Sequence, residues 1–182
     1  DFVTIANTGD ATDFGDLTNT TVSASAGGSS TRAVFMGGYG PAPYGDVIQF
    51  TEISSTGNAV DFGDLTRGCR PTNNGTSNRI FAATMGGEIS GGSDNIIDFI
   101  TIASTGDATD FGDMLAAVYA SGCASNSTRG IAMAGLSGGQ SNVIQYITWS
   151  SRGNAVDFGD DTVAHHRNGA CSNAGGGLDL TA

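Results

Sequence analysis

Carboxylates recur along this chain at a short fixed interval, and they are the residues with the clearest chemical potential. Asp10, Asp13 and Asp16 form one set and Asp107, Asp110 and Asp113 another, while Asn58 and Asn154 head two further sets of the same form. Oxygen donors of this kind are what calcium takes, so a calcium site is one reading of these turns. Three-residue spacing across a turn and a strand does not by itself converge carboxylates on a point. No EF-hand loop or Gly-Gly-x-Gly-x-Asp ladder accompanies them, and turn formation with capping is the favoured reading.

Arginine recurs too. Arg32, Arg79 and Arg129 each stand in front of an apolar segment. A guanidinium bridges carboxylates in a bidentate manner, so pairing with a nearby repeated Asp is expected. A ligand-binding ring of arginines is the alternative, and the fourth copy lacks its Arg. His165 and His166 are the only histidines and are adjacent. In a strand such neighbours point to opposite faces, so they would not act as a pair. With no nucleophile motif beside them, no catalytic residue is expected. No cofactor is expected either, beyond the calcium alternative.

The acidic residues dominate the net charge of -11, since the chain has seven Arg, no Lys and only two glutamates. A field of that sign repels phosphate backbones and anionic bilayers, so neither nucleic acid nor membrane is expected as a partner. No apolar run approaches the roughly 20 residues of a membrane span. Cys69, Cys123 and Cys171 are an odd number without Cys-x-x-Cys spacing, which fits small buried hydrophobes better than a disulfide or metal set.

The elements that position these residues are repeats. Asp-Phe-Gly-Asp begins at residues 13, 61, 110 and 157, spacings of 48, 49 and 47. A period of that length is typical of propeller blades. Upstream of each tetrapeptide lies an alternating aromatic and β-branched run, beginning at Phe2, Phe50, Phe99 and Tyr146. A Thr-Gly-Asp, Thr-Gly-Asn or Arg-Gly-Asn turn follows, and the tetrapeptide itself lies in a second strand, which makes a hairpin. Arg32–Gly38, Arg79–Gly87 and Arg129–Gly135 read as apolar strands ending in Gly, buried on both faces. A small-residue segment before each, such as Ala116–Gly122, supplies a fourth strand.

The Gly37-Gly38 and Gly86-Gly87 pairs, the aromatic strand after them and the Arg resemble the kelch repeat, with Phe14, Phe62, Phe111 and Phe158 standing where kelch blades carry Trp. The resemblance implies an all-β, kelch-like β-propeller of about four four-stranded blades. The repeats cover approximately residues 1–48, 49–97, 98–144 and 145–182 of a single domain, 1–182. The four Phe are expected buried between neighbouring blades. Because the chain opens on a third strand, its tail can be overlaid with residues 177–182 on 130–135, so that N- and C-terminal strands would pair and close the ring.

The phrase Ile100–Asp113, with Asn142–Thr148, is similar to repeats of bacteriophage tail and tail-fibre proteins of the marine and aquatic type. That resemblance implies a non-enzymatic virion structural and adhesion module, presenting loops for host attachment. The expected location is a virion or the extracellular space, and the expected partners are copies of itself, other virion or filament proteins, and host-surface glycans or proteins. A subunit of a secreted bacterial filament or adhesin is the alternative, and a propeller enzyme a distant third.

Overall fold

A computed structural model describes residues 1–41 and 44–172. Among these residues the chain is all-β, with twelve strands in three four-stranded antiparallel sheets. The first sheet holds β1 (Ser25–Gly28), β2 (Arg32–Gly38), β3 (Gly45–Glu52) and β4 (Val60–Asp64). The second holds β5 (Gly75–Ser77), β6 (Phe81–Ile89), β7 (Gly92–Thr101) and β8 (Thr109–Asp113). The third holds β9 (Gly122–Ser125), β10 (Arg129–Leu136), β11 (Gln140–Thr148) and β12 (Ser151–His165). Each sheet runs in chain order, so every connection is a tight antiparallel return. Ahead of the first sheet lies a hairpin bridged between Phe2 and Thr12, the counterpart of a third and fourth strand alone.

The Gly-ended strand is second in each sheet; β6 is buried on both faces from Ala82 to Gly87, whereas β2 and β10 alternate buried with half-buried residues, so the expected burial of both faces holds only in the second sheet. The fourth predicted strand is displaced: in the third repeat it begins at Gly122, where Ala116–Gly122 was expected to be the strand. Residues 116–121 instead form a crossover whose backbone bonds run into the neighbouring sheets.

Two glycine positions explain why the pattern must be glycine. The Gly-Gly pair sits at a register shift between Met36 and Gly38, and again between Met85 and Gly87. Both residues of each pair have positive φ, where a Cβ is strained. The bulge frees an N–H for the returning chain: Gly38 donates to Cys69 O at 2.9 Å and Gly87 to Val118 O at 3.1 Å. In the third sheet Ala134 takes the first of these positions with φ 59.

The apolar core lies between sheets. Val34, Met36, Ile48, Phe50 and Phe62 of the first sheet meet Ile100 of the second sheet and Ile102 and Ala108 of its β7–β8 turn. Met85, Ile97, Phe99 and Phe111 of the second meet Ile147, Trp149 and Ala155 of the third. Each repeat therefore has a forward face and a backward face, and adjacent repeats join forward to backward. The aromatic strand and the tetrapeptide meet edge to face in every repeat, with centroids 5.8 Å apart for Phe2–Phe14 and Phe50–Phe62, 5.4 Å for Phe99–Phe111 and 6.1 Å for Tyr146–Phe158.

Burial of the four Phe is not uniform. Phe62 and Phe111 are 3% and 4% exposed, Phe14 is half-buried and Phe158 is 55% exposed. The expectation of equal burial fails at both ends: the leading hairpin brings only two strands to its joint with the first sheet, which covers Phe14 in part, and among the described residues no further sheet follows Phe158. The proposed overlay of residues 177–182 lies outside the described residues.

Candidate functional site

The repeated polar residues assemble at the junctions between repeats. The third residue of the tetrapeptide is the pivot. A Cβ on Gly15, Gly63 or Gly112 would come within 2.4–2.5 Å of the Gly57, Gly106 or Gly153 backbone of the next repeat, and all three have φ of 143–146. Only glycine lets the two chains approach so closely.

Around that contact runs one hydrogen-bond ladder. Gly57 N–H donates to Phe14 O at 2.7 Å and Ala59 N–H to Asp16 O at 2.8 Å; Gly106 and Ala108 repeat this on Phe62 and Asp64 at the same distances. The Asx side chain of the turn completes it. Asp16 N–H donates to Asn58 Oδ1 at 3.0 Å, Asp64 N–H to Asp107 Oδ1 at 3.1 Å and Asp113 N–H to Asn154 Oδ1 at 3.0 Å. The first Asp of the tetrapeptide serves its own turn: Asp13, Asp110 and Asp157 each accept from the Gly two residues on.

These partners account for much of the supposed calcium set. Asp13 and Asp110 cap their own turns, Asp107 bridges repeats, and Asp16 and Asp113 enter the ladder through their backbones. Among the described residues no group of three or more His, Cys, Asp or Glu side chains is placed to hold a metal ion. Asp64 is raised above the ordinary carboxylate value by desolvation, with Asp46, Asp107 and Asp61 adding like charge.

Arginine behaves differently from expectation. Arg32 does not pair with the repeated Asp. It donates to Glu52 at 2.8 Å and to Ile102 O at 3.0 Å, and its guanidinium lies 4.5 Å from the Phe50 ring centroid. Arg129 lies 4.3 Å over Tyr146 in the same way. Cation–π stacking on the aromatic of their own sheet is the shared role. Arg79 is not equivalent to these two, because strand register places Phe81 opposite Thr101 as Arg32 is opposite Glu52. Phe81 packs on Phe99 at 5.8 Å in the guanidinium's stead.

A buried polar position was missed at the level of sequence. Gln49, Asp98 and Gln145 are equivalent, all nearly inaccessible, and each accepts from the segment that follows the preceding tetrapeptide. Gln49 accepts from Thr18 N–H at 2.6 Å and Gln145 from Leu115 N–H at 2.8 Å. Asp98 accepts from the Thr66 hydroxyl at 2.6 Å and from Arg67 at 2.6 Å. Arg67 also pairs with Asp94 and donates to Ile96 O at 3.0 Å. Burial raises the Asp98 carboxyl above its ordinary value despite the opposing Thr66 hydrogen bond and Arg67 charge. Comparison of the repeats at this one column would have shown the charge swap.

The other candidates have structural places. Burial pushes the Cys69 and Cys123 thiols up to about 12, which keeps them protonated and unreactive. His165 and Asp161 lie 3.5 Å apart at the edge of β12. Asn74, a glycosylation acceptor by its Asn-Gly-Thr pattern, has a buried side chain that donates to Met85 O at 2.8 Å. A cleft of about 440 Å³ lies at the first junction, lined by Phe2, Phe14, Ala33, Phe35 and Ile53 among others. There the leading hairpin offers two strands where the later junctions have four.

Backbone contacts ahead of the first strand of each sheet recur to the end of the described residues. Ser23, Thr72, Ala120 and Arg167 all have φ between 51 and 60. Thr72 N–H donates to Ser23 O and Arg167 N–H to Ala120 O. Ser125 N–H donates to Ser172 Oγ at 2.8 Å as Gly28 N–H does to Ser77 Oγ at 3.0 Å. Residues 167–172 thus repeat contacts made by residues 72–77. No protein-family model matches the chain, and no curated protein matches it in sequence.

Proposed function

We propose that the chain is a non-enzymatic structural and adhesive module, built as a kelch-like β-propeller and carried by a phage tail or fibre. The observation that carries this reading is the junction ladder, in which the recurrent Gly and several of the Asp and Asn side chains serve contact between repeats. Residues that recur because chemistry needs them would converge on one point. Here they are distributed at one per joint, the arrangement of a scaffold with nearest-neighbour energetics.

Such a scaffold leaves its turns for recognition. The tips between strands, such as Ser54–Gly57 and Ala103–Gly106, are exposed and nearly alike in sequence, so successive repeats present the same surface. Host-surface glycans or proteins are the partners this reading names, each contact being weak and multiplied by copy number.

Two measurements test it together. Gold-labelled antibody against the module should decorate tails or fibres of phage particles, and the soluble module added in excess should slow adsorption of those particles to host cells. Label confined to filaments on bacterial cells would replace this reading with the secreted-filament one.

A further inference from the structure

We propose that the turn between β7 and β8, together with Arg152 of the next repeat, is a binding groove for one neutral sugar unit of a surface glycan. The inference rests on the adhesive reading and names the ligand class and the place where it binds.

The groove begins as a hairpin shape. Thr101, Ser104, Thr105, Asp107 and Thr109 line a hollow of about 460 Å³, within the roughly 300–1,000 Å³ of small-molecule sites. The Ser104 N–H donates to Thr101 O at 3.0 Å and so closes the turn. The same positions of the leading hairpin line a smaller hollow, so the shape belongs to the hairpin itself.

Arg152 is what the joint adds. Its guanidinium lies 4.3 Å from the Phe99 ring centroid, and that ring is 5% exposed and packed on Phe81 and Phe111, 5.8 and 5.4 Å away. A guanidinium stacked in this way keeps its in-plane N–H donors for a ligand. Among the described residues Arg152 has no ion pair, and the hydroxyls of Thr101, Ser104, Thr105 and Thr109 bond to no other protein group. The second repeat lacks this set. Glu52 stands in the place of Thr101 and is tied to Arg32 at 2.8 Å, Val60 replaces Thr109, and Thr105 is the counterpart of Arg152.

The opposite charge is as firmly set. Asp107 accepts from the Asp64 N–H through Oδ1 at 3.1 Å, which fixes the carboxylate and leaves Oδ2 as an acceptor. The groove thus offers a fork of donors, a carboxylate, and hydroxyls that both donate and accept. A pyranose is the complement of that set: its adjacent hydroxyls give hydrogen bonds to the carboxylate and take them from the guanidinium, with no charge of their own. An anionic ligand would meet Asp107 within the groove and a chain of net charge -11 around it. The contacts are exposed, so one unit binds weakly and gains from repeated copies.

An NMR titration of the full chain tests this, with methyl glycosides of neutral hexoses, 6-deoxyhexoses and N-acetylhexosamines as probes, and glucuronate and inorganic sulfate as anionic ones. At least one neutral glycoside is expected to shift the amide signals of residues 104–107 and the Arg152 side-chain N–H in a saturable way. Arg152→Thr and Asp107→Asn introduce side chains that the repeat already carries at these positions, as Thr105 and as Asn58 and Asn154. Both variants should therefore keep the fold, which the same spectra report. Each should weaken binding by about tenfold, as loss of a charge-assisted hydrogen bond does, while Arg129→Ala, outside the groove, should not. The proposal is overturned if no neutral glycoside shifts these signals, if either groove variant binds as tightly as the parent, or if only glucuronate or sulfate binds. Sugar binding by a module that neither labels phage particles nor slows their adsorption would keep the site and remove the adhesive reading. Slowed adsorption without sugar binding would do the reverse.

Discussion

The joint between the first and second sheets and the two joints flanking it solve one problem with different chemistry. All three bury a polar side chain from the third strand of a sheet and bond it to the segment arriving from the preceding repeat. The flanking joints use a neutral amide: Gln49 accepts from the Thr18 N–H and hydroxyl, and Gln145 from the Leu115 N–H. The middle joint uses Asp98, which accepts from the Thr66 hydroxyl as Gln49 does from Thr18, and adds Arg67 and a second carboxylate, Asp94. A charge at this depth demands partners that an amide does not. The amide is enough for the fold, so the ion pair is a local substitution and not part of the repeat's requirement.

The largest expected effect separates covered joints from open ends. Phe111→Ala should lower unfolding stability by about 3–5 kcal/mol, since it empties a packed core. Phe158→Ala, at the exposed end, should stay within about 1 kcal/mol of the parent in the same urea titration. Equal losses would mean the end face is as well covered as the inner ones.

Next comes the middle joint itself. Arg67→Asn alone leaves Asp98 buried without its cation and should cost about 3 kcal/mol at neutral pH, the low end for a broken buried pair. Adding Asp98→Gln restores the Asn and Gln combination of the first joint, Asn19 and Gln49, and should recover most of that loss. A double variant no better than the single one would break the equivalence of the joints.

The pH dependence sharpens the same comparison. The native Asp98 pKa is raised by burial above its ordinary value of 3.8. The folded state then binds the proton more tightly, and the favourable contribution is fully present below pH 3.8 and lost as pH rises through the native value. Stability of the parent minus that of the Arg67→Asn, Asp98→Gln variant should fall across that window in urea melts taken at successive pH. A rise would show that the Arg67 charge outweighs burial. The smallest effect belongs to the ladder's side chains: Asn58→Ala removes one exposed hydrogen bond to Asp16 and should cost about 0.5–1 kcal/mol.

Much of this architecture was legible as a linear pattern. Alternation gave the strands, the spacing of Asp-Phe-Gly-Asp gave the repeat, and the apolar run ending in Gly gave a strand inside its sheet. What could not be read was any contact whose partners lie a full repeat apart. Asn58 acts on Asp16 and Asp107 on Asp64, more than 40 residues away in each case, and a turn residue looks local until its neighbour is placed. Arg79 misled for the opposite reason. It matched Arg32 by eye, but a shift of two residues in strand register put Phe81 in the stacking position. The burial of Phe14 and Phe158 was overestimated because sequence equivalence carries no information about how many strands meet at each joint.

The left-handed residues at Ser23, Thr72, Ala120 and Arg167 mark where each repeat begins in space, and Ser, Thr, Ala and Arg share little chemistry. What recurs at this position is a backbone shape, which at Thr72 and Arg167 carries a hydrogen bond to the repeat before it. Recombination that duplicates or deletes a whole period therefore cuts and rejoins the chain between two identical joints, with no new contact to be invented. The length of such a chain is free to drift by whole repeats between one lineage and the next while every surviving joint stays as it was.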